Sequence, residues 1–97
     1  MKPTKEHIQS EVLEILTSED ESWDVDASLV TPETRLGADL GFSSIDVLHL
    51  IASIDMRLKR KLPFQQLLVN GKEYVTDVRI DELVNFVYNH YDEGVRA

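Results

Sequence analysis

The chain has 97 residues, 42% of them hydrophobic, which is enough for one buried core and too few for two. Its 18 acidic and 10 basic side chains give a net charge of −8, which argues against nucleic-acid binding and favours basic patches on partner proteins. The absence of cysteine excludes disulfides, thiolate metal sites and cysteine nucleophiles. We therefore expect a single domain over residues 1–97, with its core at about residues 4–92.

The N-terminal residues and the lengths of the apolar runs indicate where in the cell the protein is expected. The first seven residues lack the apolar stretch of a signal peptide, and no apolar run is long enough to cross a bilayer. We expect a soluble cytoplasmic protein with no membrane span. Its short tails indicate a free-standing unit, which we expect to be a monomer.

Helical periodicity predicts a first helix over residues 4–17, with Thr4 as its N-cap. Its apolar face consists of Ile8, Val12, Ile15 and Leu16. Residues 18 to about 43 are predicted to form a long loop, because their apolar side chains recur at irregular intervals. Within this loop, residues 31–33 can start a single helical turn, with proline at its first position.

A second helix is predicted to begin near Ser44 and to end at Pro63. Ser43 can accept a hydrogen bond from the amide of Asp46 while the Asp46 carboxylate reaches back, which is a capping box. One side of this helix is apolar and is expected to face the core, with Val47, Leu50, Ile51, Ile54 and Leu58. Basic residues crowd its far end and complement the helix dipole, namely Arg57, Lys59, Arg60 and Lys61.

The last third of the chain predicts two more helices. Residues 63–68 suggest a short helix, and the Asn70-Gly71 pair that follows indicates either a turn between helices or a β-hairpin. We favour the turn, because no other segment would supply the strands of a stable sheet. A final helix has a regular apolar stripe, with Thr76 or Asp77 as its cap and Gly94 beyond its end; the stripe consists of Ile80, Leu83, Val84, Val87, Tyr88 and Tyr91. The prediction is an all-α fold of three main helices, one short helix and a long first loop.

The segment Leu36–Asp46 carries the chemistry. Gly41 allows a tight turn and leaves space above the chain, and the turn delivers the hydroxyl of Ser44 to the start of a helix. At that end, unpaired amides and the helix dipole favour an anion. The sequence lacks the motifs of the enzymes that we considered. Ile45 replaces the second glycine of the hydrolase motif Gly-x-Ser-x-Gly, and there is no phosphate-binding glycine loop. The three histidines, His7, His49 and His90, fall on separate elements and predict no metal site.

This segment resembles the acyl carrier protein family, whose pattern is Asp-Leu-Gly-x-x-Ser-Leu/Ile; the matching residues here are Asp39, Leu40, Gly41, Ser44 and Ile45. The resemblance implies a non-enzymatic four-helix bundle of acyl-carrier type, with 4′-phosphopantetheine attached to Ser44 by a phosphopantetheinyl transferase. The arm would hold acyl intermediates as a thioester and deliver them to acyl-loading, condensing and acyl-transfer enzymes of fatty acid, polyketide or specialised lipid biosynthesis. An acyl chain sheltered between the second and third helices, near Phe64 and Leu67, is a further hypothesis.

Two departures from the family pattern concern the start and the face of the second helix. Ser43 stands where fatty-acid carriers usually have aspartate, so two neighbouring hydroxyls compete for the modification; the spacing from Gly41 favours Ser44. The helix also offers a second apolar stripe that is either core or a docking surface. The expected docking residues are Asp39, Leu40, Ile45, Asp46, Leu48, His49, Ala52 and Met56. The alternative function is an unmodified helical adaptor that binds a partner protein through the same helix.

Overall fold

A computed structural model of the chain describes residues 3–18, 23, 25–70, 73–74, 77–91 and 95–96. Over these residues the protein is mostly helical, with four α-helices and two short pairs of strands. In chain order the elements are α1 (Lys5–Ser18), a 3₁₀ helix (Ala27–Leu29), α2 (Ser44–Leu58), β1 (Arg60–Lys61), α3 (Gln65–Leu68), β2 (Val69–Asn70), β3 (Glu73–Tyr74), α4 (Ile80–His90) and β4 (Val95–Arg96). No helix in the described ranges is both long and apolar enough to cross a membrane.

The core lies where α1 packs against both α2 and α4. The predicted apolar face of α1 is buried, and Thr4 accepts a hydrogen bond from the amide of His7 at 3.1 Å, as expected of an N-cap. The buried residues of α2 include Val47, Leu50, Ile51 and Ile54, and those of α4 are Ile80, Leu83, Val84, Phe86 and Val87. Helical periodicity therefore located the three main helices and most of their buried sides. The predicted stripes omit Phe86, while Leu58, Tyr88 and Tyr91 are only half-buried and Tyr91 lies beyond the end of α4.

The end of α2 differs from the prediction. The helix stops at Leu58, because Lys59 adopts left-handed backbone angles (φ 55°, ψ 38°) and its amide donates to the carbonyls of Asp55 and Met56. The chain then forms β1, which pairs with β4 near the C-terminus, before it reaches Pro63. Pro63 therefore precedes α3 and does not terminate α2.

The hairpin that we considered less favourable is present. Strands β2 and β3 are antiparallel, with Val69 opposite Tyr74 and Asn70 opposite Glu73. We argued against a hairpin because the chain lacks the strands of a stable sheet, but this argument applies to a hairpin standing alone. Here the strands belong to a helical domain, and α3 leads directly into β2. Gly71 of the predicted turn lies outside the described residues.

The long first loop is organised by hydrogen bonds to the start of α4. The amide of Ile80 donates to the carbonyl of Thr34 at 2.9 Å, and the amide of Leu36 donates to the carbonyl of Val78 at 2.9 Å. The chain turns at residues 32–33 as expected, although the 3₁₀ helix lies earlier, at Ala27–Leu29. The loop is thus held in place by backbone pairing that no periodic pattern signals.

The predicted cap of α4 was wrong. Arg79 is the N-cap, and its amide donates to the Glu82 carboxylate at 3.1 Å. The Asp77 carboxylate instead accepts hydrogen bonds from the amides of Gly37 and Ala38, both at 3.0 Å. Asp77 therefore fastens the loop that leads to Ser44. The other predicted cap, Thr76, and the predicted stop signal, Gly94, lie outside the described residues.

Candidate functional site

The N-terminus of α2 is closed by the predicted capping box. Ser43 has extended backbone angles, its amide donates to Asp46 Oδ2 at 2.9 Å, and its Oγ accepts from the amide of Asp46 at 3.3 Å. The Ser43 hydroxyl also donates to Asp46 Oδ2 at 3.0 Å. Of the two adjacent serines, Ser43 is therefore the one whose hydroxyl is used by the fold.

Ser44 is the first residue of α2, and its side chain is exposed. Helix geometry leaves the first four amides without intrahelical partners, and the capping box uses those of Ser43 and Asp46. The amides of Ser44 and Ile45 therefore remain for another acceptor. A group attached to the Ser44 hydroxyl would lie beside these amides at the positive end of the helix dipole.

Gly41 opens the approach to this helix start. Its φ of +71° lies in the left-handed region that favours glycine, and a Cβ added there would meet no atom within 4 Å. Phe42, the next residue, is buried in the core and so attaches this segment to the rest of the fold. The turn therefore fixes the backbone just before the two serines and leaves open space above it.

A tryptophan from the first loop packs against this helix start. Trp23 is only 7% exposed; its ring centroid lies 4.7 Å from that of Phe42 and 5.0 Å from that of His49. Its Nε1–H donates to Asp46 Oδ1 at 3.1 Å. The amide of Ser43 and, after it, the indole of Trp23 lower the pKa of Asp46, because both stabilise the ionised carboxylate.

The loop ahead of Gly41 forms the other side of the site. Asp39 is exposed, and its carboxylate accepts from the amide of Arg35 at 2.7 Å, so it closes the turn that holds Leu40 half-buried. Next to this turn the loop forms an open groove of about 480 Å³ lined by Val25, Asp26, Leu29, Val30, Thr31, Glu33, Thr34, Asp39 and Leu40. Leu29 is 75% exposed at this groove.

The second apolar stripe of α2 is not core. Ile45 and Met56 are each 75% exposed and Leu48 is 50% exposed, while His49 and Ala52 are also exposed. Asp46, by contrast, is half-buried because its carboxylate is turned towards Ser43 and Trp23. The residues of this stripe are therefore exposed along α2, whereas Asp46 acts mainly in the cap. Asp39 and Leu40 lie on the preceding loop, where Leu40 is half-buried.

The far end of α2 is joined to α1 by charge. Arg57 lies 3.0 Å from a Glu11 carboxylate oxygen and 3.3 Å from one of Glu14. Within the same end, Asp55 accepts from the amide of Leu62 at 3.2 Å, and its partial burial raises its pKa. These charged groups connect α2 to α1 and to the segment that follows α2. The candidate site lies at the opposite, N-terminal end of the helix.

No family model, curated protein or solved structure matches this chain. The interpretation of the site therefore depends on the residues and geometry described above. Among the described residues, no three histidine, aspartate or glutamate side chains are grouped so that they could hold a metal ion.

Trp23 is the site residue that sequence reasoning missed. It is one of the irregularly spaced apolar residues of the first loop, and the sequence pattern assigned no contact to it. A signal was present, since a buried indole N–H needs an acceptor and tryptophan is used once in the chain. The sequence did not indicate that the acceptor would be the carboxylate of the α2 capping box, 23 positions away.

Proposed function

We propose that this protein is a carrier of the acyl carrier protein type, and that Ser44 bears 4′-phosphopantetheine. The observation that carries the proposal is the exposed Ser44 side chain at the first position of α2, within the segment Asp39-Leu40-Gly41-Phe42-Ser43-Ser44-Ile45. The mostly helical fold with a long first loop also suits a four-helix bundle of acyl-carrier type. In this proposal the protein catalyses nothing itself and presents cargo to other enzymes.

The residues around Ser44 fit the attached group. The positive φ and open surroundings of Gly41 leave room for an incoming transferase, and the amides of Ser44 and Ile45 suit a phosphodiester. The Asp46 carboxylate already offsets part of the helix dipole, but its two oxygens are held by Ser43 and Trp23. The arm would supply a thiol that carries acyl groups as a thioester, and tethering would raise their effective concentration at each partner.

In attachment, the Ser44 oxygen would form a bond to the phosphorus of coenzyme A that bears the pantetheine portion. The bond from this phosphorus to the adenosine bisphosphate would break, and the hydroxyl proton would leave to a base of the transferase. The Asp46 carboxylate, two residues after Ser44, is engaged in the cap and is not available as this base. A separate modifying enzyme is therefore part of the proposal.

The exposed face of α2 would be the docking surface for the transferase and for acyl-loading, condensing and acyl-transfer enzymes. Three large apolar side chains on this face, Ile45, Leu48 and Met56, are at least half exposed. Such a face favours partners with an apolar contact patch, while the net charge of −8 favours partners with basic surroundings.

The same exposed face supports the second candidate, an adaptor that is never modified. An apolar stripe of this kind on a small domain is typical of a protein-binding helix whether or not a cofactor is present. The two functions differ in one observable, the covalent state of Ser44.

Intact mass spectrometry after incubation with coenzyme A and a broad-specificity phosphopantetheinyl transferase tests the proposal. We expect the wild type to gain the mass of one phosphopantetheine, and Ser44→Ala to gain none. Ser43→Asn is the matched control, because asparagine retains a side-chain oxygen as N-cap acceptor, adds no charge beside the Asp46 carboxylate and removes the competing hydroxyl; it should still be modified. An unmodified wild type would favour the adaptor, and loss of the mass gain in Ser43→Asn but not in Ser44→Ala would mean that Ser43 is the modified serine.

A further inference from the structure

The two oxygens of the Asp46 carboxylate are held from two different parts of the chain. Oδ2 accepts from the amide and the hydroxyl of Ser43, at 2.9 and 3.0 Å, within the first turn of α2. Oδ1 accepts from the indole N–H of Trp23 at 3.1 Å. The capping box at the start of α2 is therefore tied by a tertiary contact to the first loop.

The position of the Trp23 indole is itself fixed by packing. The ring is almost fully buried and lies against the rings of Phe42 and His49. Phe42 immediately precedes the serine pair, and His49 follows it on α2. The indole thus contacts the chain on both sides of Ser44 while its N–H fixes the carboxylate between them.

We propose that Trp23 is a positioning residue for Ser44: by holding the Asp46 carboxylate against Ser43, it fixes the first turn of α2 and leaves Ser44 as the presented hydroxyl. This inference rests on the proposed carrier function. Ser43 Oγ both donates to and accepts from Asp46, so it stays in the cap as long as the carboxylate keeps its orientation. Without the indole donor, Oδ2 keeps its hydrogen bonds to Ser43 but Oδ1 loses its partner, so the carboxylate and the backbone that carries Ser44 are less firmly fixed when the transferase binds.

Trp23→Phe is the informative substitution, because phenylalanine retains an aromatic ring against Phe42 and removes the N–H donor. It also removes part of the buried ring volume, so the loss of packing has to be separated from the loss of the donor. We expect kcat/KM for phosphopantetheinylation to fall about tenfold, the order expected when a hydrogen bond to a charged group is lost. Phe86→Leu is the matched control, because Phe86 is a buried aromatic residue on α4 that contacts Phe64 and His90. Phe86→Leu should lower stability and leave this rate unchanged.

A double-mutant cycle separates positioning through Asp46 from simple filling of the core. An amide has one acceptor oxygen, so Asp46→Asn can accept from Ser43 or from Trp23 but not from both. If Trp23 acts through Asp46, Trp23→Phe should slow modification much less in the Asp46→Asn protein than in the wild type. In addition, NMR titration should show the pKa of Asp46 rising towards its ordinary value in Trp23→Phe.

The outcomes distinguish this inference from the proposed function. If the wild type is not modified at all, the carrier function fails and the role of Trp23 fails with it. If the wild type is modified and Trp23→Phe is modified at the same rate, only the positioning role is overturned. A rate loss that is equal in the wild-type and Asp46→Asn backgrounds, or that Phe86→Leu reproduces, likewise overturns it in favour of a general packing effect.

Discussion

The starts of α2 and α4 share one half of a capping box but lead to opposite outcomes. Both have an acidic residue at the third helical position that accepts from the N-cap amide, namely Asp46 for Ser43 and Glu82 for Arg79. In α2 the first helical residue is the exposed Ser44. In α4 it is Ile80, which is completely buried.

The amides at the two helix starts also differ. At α4 the amides of Ile80 and Asp81 donate to loop carbonyls, at 2.9 and 2.8 Å. At α2 the amides of Ser44 and Ile45 are left by the capping box for another acceptor. The comparison teaches that a helix N-terminus can serve an anion only where the fold has not already used its amides. Of these two starts, only that of α2 meets this condition.

The largest expected difference in stability between the two helix starts comes from truncating the side chain of the first residue of each helix. Ile80→Ala should lower the free energy of unfolding by about 3 kcal/mol, because it leaves a cavity in the core. Ser44→Ala should change it by less than about 0.5 kcal/mol, because its side chain is exposed. Urea unfolding followed by Trp23 fluorescence measures both. Losses of similar size would mean that Ser44 is part of the packing.

The next effect concerns the turn that leads into α2. Gly41→Ala should lower the free energy of unfolding by about 1–2 kcal/mol, because alanine resists the left-handed angles that Gly41 adopts. Gly41→Asn is the control, since asparagine tolerates these angles better, and it should cost less than alanine. The same urea unfolding experiment applies. An alanine variant as stable as the wild type would show that this turn adopts other angles in solution.

A smaller effect is expected at the α2 cap. Ser43→Ala should lower the free energy of unfolding by about 1 kcal/mol through loss of the side-chain acceptor. Ser43→Asn should stay close to the wild type, since asparagine is an equally good cap and adds no charge beside Asp46. Thermal unfolding at matched pH would detect the difference. If alanine and asparagine were equivalent, the start of α2 would depend on tertiary contacts, as that of α4 does.

The smallest effects concern pH, beginning with the pH dependence of the same cap. The folded-state pKa of Asp46 is lowered, chiefly by the amide of Ser43 and then by the indole of Trp23. The stability it contributes is therefore present above the ordinary aspartate pKa and is lost as pH falls through the folded-state value. Urea unfolding from neutral to strongly acidic pH should show a shallower acid loss in Asp46→Asn than in the wild type.

Asp55, on the same helix, has a pKa shift of the opposite sign to that of Asp46. Burial raises its pKa, so ionisation of Asp55 disfavours the folded state and its contribution improves as pH falls below the folded-state value. Asp55→Asn retains an oxygen acceptor for the amide of Leu62 and should be as stable as the wild type, or more so, at neutral pH. If both variants lost stability in the same way on acidification, these pKa directions would be wrong.

Local sequence signals predicted the three main helices, the α2 capping box and the short third helix. Each depends on residues within a few positions of one another, such as Ser43 and Asp46. The same reasoning failed at the cap of α4, where Asp77 had the correct chemistry but was used to hold Gly37 and Ala38. It also failed at the β2–β3 hairpin, because the chain supports short strands that would not be stable alone.

The sequence by itself determined where α1 and α2 begin, which sides of the helices are apolar and that Ser44 follows Gly41 by three positions. These properties depend on helical periodicity and on the local chemistry of capping. Tertiary structure alone decided that the stripe of Ile45, Leu48 and Met56 faces outwards and that Trp23 reaches Asp46. A helix with two apolar sides can bury only the side that other elements cover, and which elements cover it is set by contacts between distant parts of the chain.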